Sequence, residues 1–241
     1  MTIADKAVLV TGANRGLGQA LVEEALSRGA ERVYAASRQQ ITHSDERVTP
    51  VALDVTDAAQ IEAAVEAVES LDVLVNNAGI ALLDDLSDRA ALDEHLAVNL
   101  FGTYAVTHAF LPLLTRSQGA VVNVLSLASL ATVPITPAYA VSKAAAFSLS
   151  QSLRALFAER GITVHAALPG PVDTDMIRDW DIPKASPESV AHAIFDGVEN
   201  GEEEIFPDPM SATLAEPWRS GAIKELEGQN AALLQALAVE A

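Results

Sequence analysis

The stretch 7-AVLVTGANRGLG-18 sets the fold. An apolar run stops at Thr11, and three glycines follow within seven residues where a helical pattern begins. A strand that delivers the chain to a glycine-rich turn at a helix N-terminus offers free N–H groups and a positive partial charge, which suits a phosphate. Gly12, Gly16 and Gly18 permit the turn and keep Cβ atoms out of the way of a ligand. The spacing G-x-x-x-G-x-G differs from the G-x-G-x-x-G fingerprint, so taken alone it reads as a nucleotide site or as an ordinary tight turn.

Working outward, the runs 7-AVLV-10, 33-VYAA-36, 51-VALDV-55, 71-LDVLV-75, 120-AVVNVL-125 and 162-ITVHAAL-168 are apolar throughout, as strands buried on both faces must be. Helical periods lie between them, around 17–28, 57–69, 88–115, 138–160 and 186–199. This alternation predicts a doubly wound parallel α/β sheet, a Rossmann fold. One domain is expected over 1–241, with a core over about 5–206 and a C-terminal helical extension over about 207–241. The run 199-ENGEEE-204 reads as a solvated charged turn, 205-IF-206 as a last edge strand, and 211–239 as helix docked outside. Thr136 and Pro137 suit the start of helix 138–160, and Gly161 its end. Ala140, Ala144, Ser148 and Ser152 give that helix a small-residue face, for packing within the subunit or against a second copy.

Composition narrows the function. The chain has no cysteine, which excludes disulfides, thiolate metal sites and a Cys nucleophile. Its 15 basic and 33 acidic residues give a net charge of −18, which opposes nucleic acid and anionic membranes. An anionic ligand would need a local positive site, and lysine occurs only at Lys6, Lys143, Lys184 and Lys224. With no long apolar segment at the N-terminus and no 18-residue apolar run, a cytoplasmic protein is expected. The five histidines show no ligand spacing, so no metal site is expected.

Three further stretches carry chemistry. The fourth run ends in 76-NNAG-79, at the mouth where doubly wound folds bind ligands. The fifth ends at Ser126, and the following helix carries Tyr139 and Lys143 four residues apart, on one face. A phenol is a poor acid near pH 7. A neighbouring ammonium favours the phenolate and lowers its pKa. Tyr139 can then pass a proton to a carbonyl oxygen while Ser126 holds the same oxygen.

In that order, 11-TGANRGLG-18, 54-DVTD-57, 76-NNAG-79, 98-VNLFG-102, Ser126, 139-YAVSK-143 and 169-PGPVDT-174 resemble the short-chain dehydrogenase/reductase family, in its compact single-domain branch. The resemblance implies a catalytic set of Asn99, Ser126, Tyr139 and Lys143, with Asn99 bending its helix and holding a proton-relay water. It implies that Gly12, Asn14, Arg15, Gly16, Leu17 and Gly18 hold a dinucleotide. Asp54 would bind the adenine with Val55 beside it, and Asn77, Ala78 and Gly79 would line the adenine ribose. Lys143 would also hold the nicotinamide ribose, and Pro169, Gly170, Val172 and Thr174 the nicotinamide amide. Thr11 reads as a brace between strands.

An NAD enzyme places an acid at the end of the second strand. Here 36-ASR-38 has none. Ser37, Arg38 and the nearby Arg15 suit a 2′-phosphate, so NADP(H) is expected over NAD(H). Ile80, Leu82, Leu127, Leu130, Val133, Met176 and Trp180 are expected to line an apolar substrate pocket. The run 173–183 reads as a lid or a packed loop, and Asp84 and Asp85 as a solvated turn. The expectation is an NADP(H)-dependent carbonyl reductase or alcohol dehydrogenase acting on a small uncharged ketone, aldehyde or secondary alcohol, as a homodimer or homotetramer. The alternatives are a 3-oxoacyl reductase and a non-catalytic NADP(H) sensor.

Overall fold

Valine- and alanine-rich runs form strands here because each has a helix layer on either side. The computed structural model describes residues 1–239. Its strands are β1 Ala7–Thr11, β2 Arg32–Ser37, β3 Val48–Ala52, β4 Val73–Asn76, β5 Ala120–Val124, β6 Thr163–Ala167 and β7 Glu204–Ile205. They form one parallel sheet in the order β3-β2-β1-β4-β5-β6-β7. Side chains alternate along β1. Val8 and Val10 face α1 (Gly16–Ser27) and α6 (Pro187–Glu199), whereas Ala7 and Leu9 face α2 (Ala58–Ala67) and α4 (Thr103–Ser117). The order reverses between β1 and β4, which opens a crevice at their C-terminal ends.

The third strand is shifted from its expected place at 51–55. It starts at Val48, and the turn at Asp54, whose carboxylate accepts from Thr56 N–H and hydroxyl, closes it. Pro50 is tolerated because β3 is a sheet edge. The expected helix 88–115 is a continuous path through α3 (Arg89–Leu96), a π-helical turn at Ala97–Gly102 and α4. By length and composition the run Arg89–Ser117 could cross a membrane. Its Val106, Phe110 and Leu114 are buried in the layer beneath the sheet.

The charged segment 199–204 is a solvated turn at Asn200, Gly201 and Glu203, which are exposed, but not at its last residue, which begins β7. Glu204 is buried and pairs with Arg154 of α5 (Pro137–Phe157) at 2.8 Å and with Lys224 at 2.8 Å. The extension adds α7 (Pro209–Ala212), α8 (Ala215–Arg219) and α9 (Ala222–Val239). It docks where Trp218 packs edge-on against Phe147, and where Glu227 reaches Arg154 and Gln151 of α5. Residues 240–241 of the expected extension lie outside the described residues. Of the small-residue face on α5, Ala140 is buried while Ala144, Ser148 and Ser152 are exposed.

Candidate active site

The glycine turn is shaped first by the chain's own packing. Gly12 and Gly16 sit at φ +65° and +53°, in the left-handed region. A Cβ on Gly18 would lie 2.1 Å from the Gly12 carbonyl oxygen, so this glycine lets α1 close on its own turn rather than clearing space for a ligand. Asp57, Asp88 and Ser186 cap α2, α3 and α6 with their side chains, whereas α1 has no side-chain cap and no acid in its first turn. Its first N–H groups open on the crevice.

Thr11 is the expected brace. Its hydroxyl oxygen accepts from Asn77 and Ala78 N–H at 3.0 Å each, and Asn77 Nδ2 donates back to Thr11 O at 2.9 Å. These bonds tie the end of β1 to the end of β4 across the switch point. A second, fully buried chain joins β4 to α5. Asn76 Nδ2 donates to Asn123 Oδ1 and Thr107 Oγ1, and Asn123 Nδ2 donates to Ser150 Oγ. This chain fixes α5, and hence Tyr139 and Lys143, against the sheet.

A cleft of about 1200 Å³ runs along the C-terminal ends of the strands. Gly12, Asn14, Arg15, Gly16, Leu17, Gly18, Ser37, Arg38, Asp54 and Val55 line one end. Asn77, Ala78, Gly79, Ser126, Tyr139, Lys143, Pro169, Gly170, Val172 and Thr174 line the rest. Asn99 is buried behind this wall. Its Oδ1 accepts from Ile80 N–H at 2.9 Å, and its Nδ2 donates to Ile80 O and Ser142 Oγ. Its helix does depart from α geometry, at the π turn.

Lys143 Nζ donates to Val124 O at 2.8 Å and lies 5.7 Å from the centre of the Tyr139 ring. Burial pulls its ammonium down to about 8. Burial also pushes the Tyr139 phenol up, with the Ser126 hydroxyl opposing. That is opposite to the direction expected from the Lys143 ammonium: desolvation of the phenolate outweighs its neighbours. Ser126 Oγ accepts from Ala128 N–H at 3.1 Å, which leaves its own proton to donate.

Ile80, Leu127, Val133, Met176 and Trp180 line the cleft, but Leu82 and Leu130 do not. Leu82 N–H donates to His95 Nε2 at 3.0 Å and its side chain is exposed, while Ala81 and Leu83 on either side line the cleft. Leu130 packs into the core cluster with Leu125, Phe147 and Phe206. Asp84 is not simply solvated: its carboxylate accepts from Ala138 N–H at 3.2 Å and takes the capping role expected of Thr136, whose side chain makes no cap bond. Met210 and Gln39 also line the cleft and were not expected there. The pairing of Asp84 with α5 and the reach of Met210 have no local signal, because each joins segments far apart in sequence.

Arg38 makes no ion pair among the described residues, and its charge helps to hold the Asp54 carboxyl below the usual range, behind the bonds from Thr56. Ser37 is buried and its Oγ accepts from Gln39 N–H. Glu203, Glu204 and Glu227 come together as potential metal ligands, but their charge is met by Arg154 and Lys224.

A parallel sheet with a glycine turn and a long cleft at its switch point defines a doubly wound protein of the Rossmann class. Within that class the chain belongs to the short-chain dehydrogenases, whose family model matches residues 6–184. It is 36% identical over 199 residues to the short chain dehydrogenase pigC of Monascus ruber, a match covering 73% of this chain and 65% of that protein. It is 35% identical over 189 residues to the oxidoreductase UcpA of Salmonella typhimurium, covering 72% of each. A short chain dehydrogenase from Burkholderia cenocepacia, solved in complex with NADP, superposes with a TM-score of 0.87 at 33% identity, covering 95% of this chain and 98% of that one.

Proposed function

We propose that the protein is an NADP(H)-dependent oxidoreductase that interconverts a small apolar ketone or aldehyde with the corresponding alcohol. The observation that carries this reading is one cleft lined by Ser126, Tyr139 and Lys143 together with the glycine turn and Arg38. The residues fit a dinucleotide. The uncapped N-terminus of α1 suits a pyrophosphate, and Lys143 lines the cleft beside Gly79, where a side chain would press on Asn99 Oδ1 at 3.1 Å. Asp54 and Val55 would take the adenine, Asn77 and Ala78 its ribose, Lys143 the nicotinamide ribose, and Pro169, Gly170, Val172 and Thr174 the nicotinamide amide. Arg38, Arg15 and Ser37 would take the 2′-phosphate, and the Burkholderia relative solved with NADP supports that choice.

The bound nicotinamide supplies or accepts the hydride. The chain's own groups handle the proton. Burial keeps Tyr139 protonated before a ligand arrives, which suits an acid in the reducing direction. Ser126 donates to the same substrate oxygen. Lys143, near 8, stays largely charged at neutral pH and favours the phenolate once it forms. The apolar lining from Ile80, Leu127, Val133, Met176 and Trp180 favours an uncharged substrate.

Assembly as a homodimer or homotetramer is supported by the exposed side of α5, where Ala144, Ser148 and Ser152 lie with Val141 and Leu156, both large apolar side chains in solvent. A cytoplasmic location fits this account. The experiment is NADPH oxidation against a panel of ketones and aldehydes. A sensor would bind NADPH and turn over none of them.

A further inference from the structure

The extension past β7 contains a buried carboxylate that none of these roles uses. Asp208 is 7% exposed. Its Oδ1 accepts from Met210 and Ser211 N–H at 3.0 and 3.1 Å, and its Oδ2 from the Ser211 hydroxyl at 2.6 Å. Those bonds cap its own short helix. A further bond leaves the extension: Oδ2 also accepts from Gly170 N–H at 2.7 Å.

Gly170 stands between Pro169 and Pro171, neither of which has an N–H. Its amide is therefore the only backbone donor of that tripeptide, and Asp208 receives it. On the other side, Pro169 O accepts from Leu127 N–H at 2.9 Å, next to Ser126. The segment is thus held at both ends. The fit is close, since a Cβ on Gly170 would lie 3.0 Å from Asp208 Oδ1 and 3.4 Å from Met210 Cβ. Met210 itself lines the cleft.

We propose that Asp208 is a positioning residue: by holding Gly170 N–H it fixes the cleft wall that receives the nicotinamide half of the dinucleotide. The inference rests on the dinucleotide reading above. It assigns the extension a part in the site, which no residue of 169–174 supplies for itself. A bond to a charged acceptor contributes enough that its loss should weaken the matching half of the ligand about tenfold.

The test is calorimetric titration of the full chain with NADP⁺ and with adenosine 2′,5′-bisphosphate, which lacks the nicotinamide. Asp208→Asn should lose about tenfold in NADP⁺ affinity and stay within about twofold for the bisphosphate. Gly170→Ala strains the same contact from the other side, its Cβ pressing on Asp208 Oδ1 and Met210, and gives the same split should Asp208→Asn fail to fold; Ser211→Ala controls for the cap. Ser211→Ala removes cap bonds but leaves the Gly170 bond, so it should lower Tm without the split. If Asp208→Asn, or Gly170→Ala in its place, weakens both ligands alike or leaves both unchanged, the proposal is overturned. If wild type binds neither ligand, the dinucleotide reading falls and the proposal with it. Binding of both by wild type with unchanged variants removes the proposal alone.

Discussion

Arg15 Nη1 and Asp175 Oδ2 meet at 2.6 Å, joining the glycine turn to the short helical turn Asp175–Ile177. Both residues line the cleft, so the pair closes one wall on the other. Asp175 also pairs with Arg178. A 2′-phosphate that recruits Arg15 must compete with this carboxylate. Exposed pairs contribute about 0.2–1 kcal/mol. Asp175→Asn should therefore strengthen NADPH binding by up to about fivefold and leave NADH unchanged. Fluorescence titration with both cofactors checks this, and an equal change for the two would place the effect elsewhere.

In the proposed reading, cofactor choice rests more heavily on Arg38. Replacing Ser37 with Asp and Arg38 with Leu removes an attraction for phosphate and adds a repulsion. The new carboxylate can still accept from Gln39 N–H as Ser37 does, so the turn should hold. A charge-assisted bond is worth about 1.5–3 kcal/mol, so the ratio of kcat/KM for NADPH over NADH should fall at least about tenfold. A ratio that does not move would leave Arg38 as a surface residue only.

Lys143 links the site to stability. Its pKa falls from 10.5 to about 8 in the folded chain because burial disfavours the ammonium. Below pH 8 both states hold the proton and the full cost of burying the charge is felt. Between about 8 and 10.5 the unfolded chain holds a proton that the folded one lacks, so stability rises with pH across that window. The rise amounts to about 3 kcal/mol if the whole window is crossed. Lys143→Met lacks it. Urea unfolding of both proteins from pH 7 to 10 should show wild type gaining on the variant, and parallel curves would contradict the shift. The same variant should lose turnover and bind NADPH more weakly.

Asp84 caps α5 one residue before Tyr139. Asp84→Ala should cost about 1 kcal/mol, as lost caps do, read from urea unfolding. It should also lower kcat, because the first turn it holds carries the phenol. Stability lost with kcat unchanged would confine Asp84 to a structural role.

Much of this site could be read from the chain because its signals are local. A glycine turn after an apolar run, an amide pair at a strand end and Tyr139 four residues before Lys143 each lie within one segment. The switch point follows from strand alternation, so the cleft follows too. What stayed hidden joins distant segments. Glu204 looks like part of a charged turn until Arg154 and Lys224 close over it. The start of a helix at Asp208-Pro209 is a readable signal, yet its bond to Gly170 spans 38 residues. The Tyr139 phenol is raised where its neighbours alone predict lowering, because residue types reveal neighbours but not depth of burial.

The most direct test of the account is the rate of NADPH oxidation with a panel of small apolar ketones and aldehydes, measured for wild type and Tyr139→Phe. The account predicts turnover of at least one of them by wild type. It predicts a fall of about 10²–10⁴-fold in the variant, with circular dichroism and NADPH affinity preserved. A folded variant within a few-fold of wild type, or a wild type that binds NADPH and reduces nothing, would contradict it.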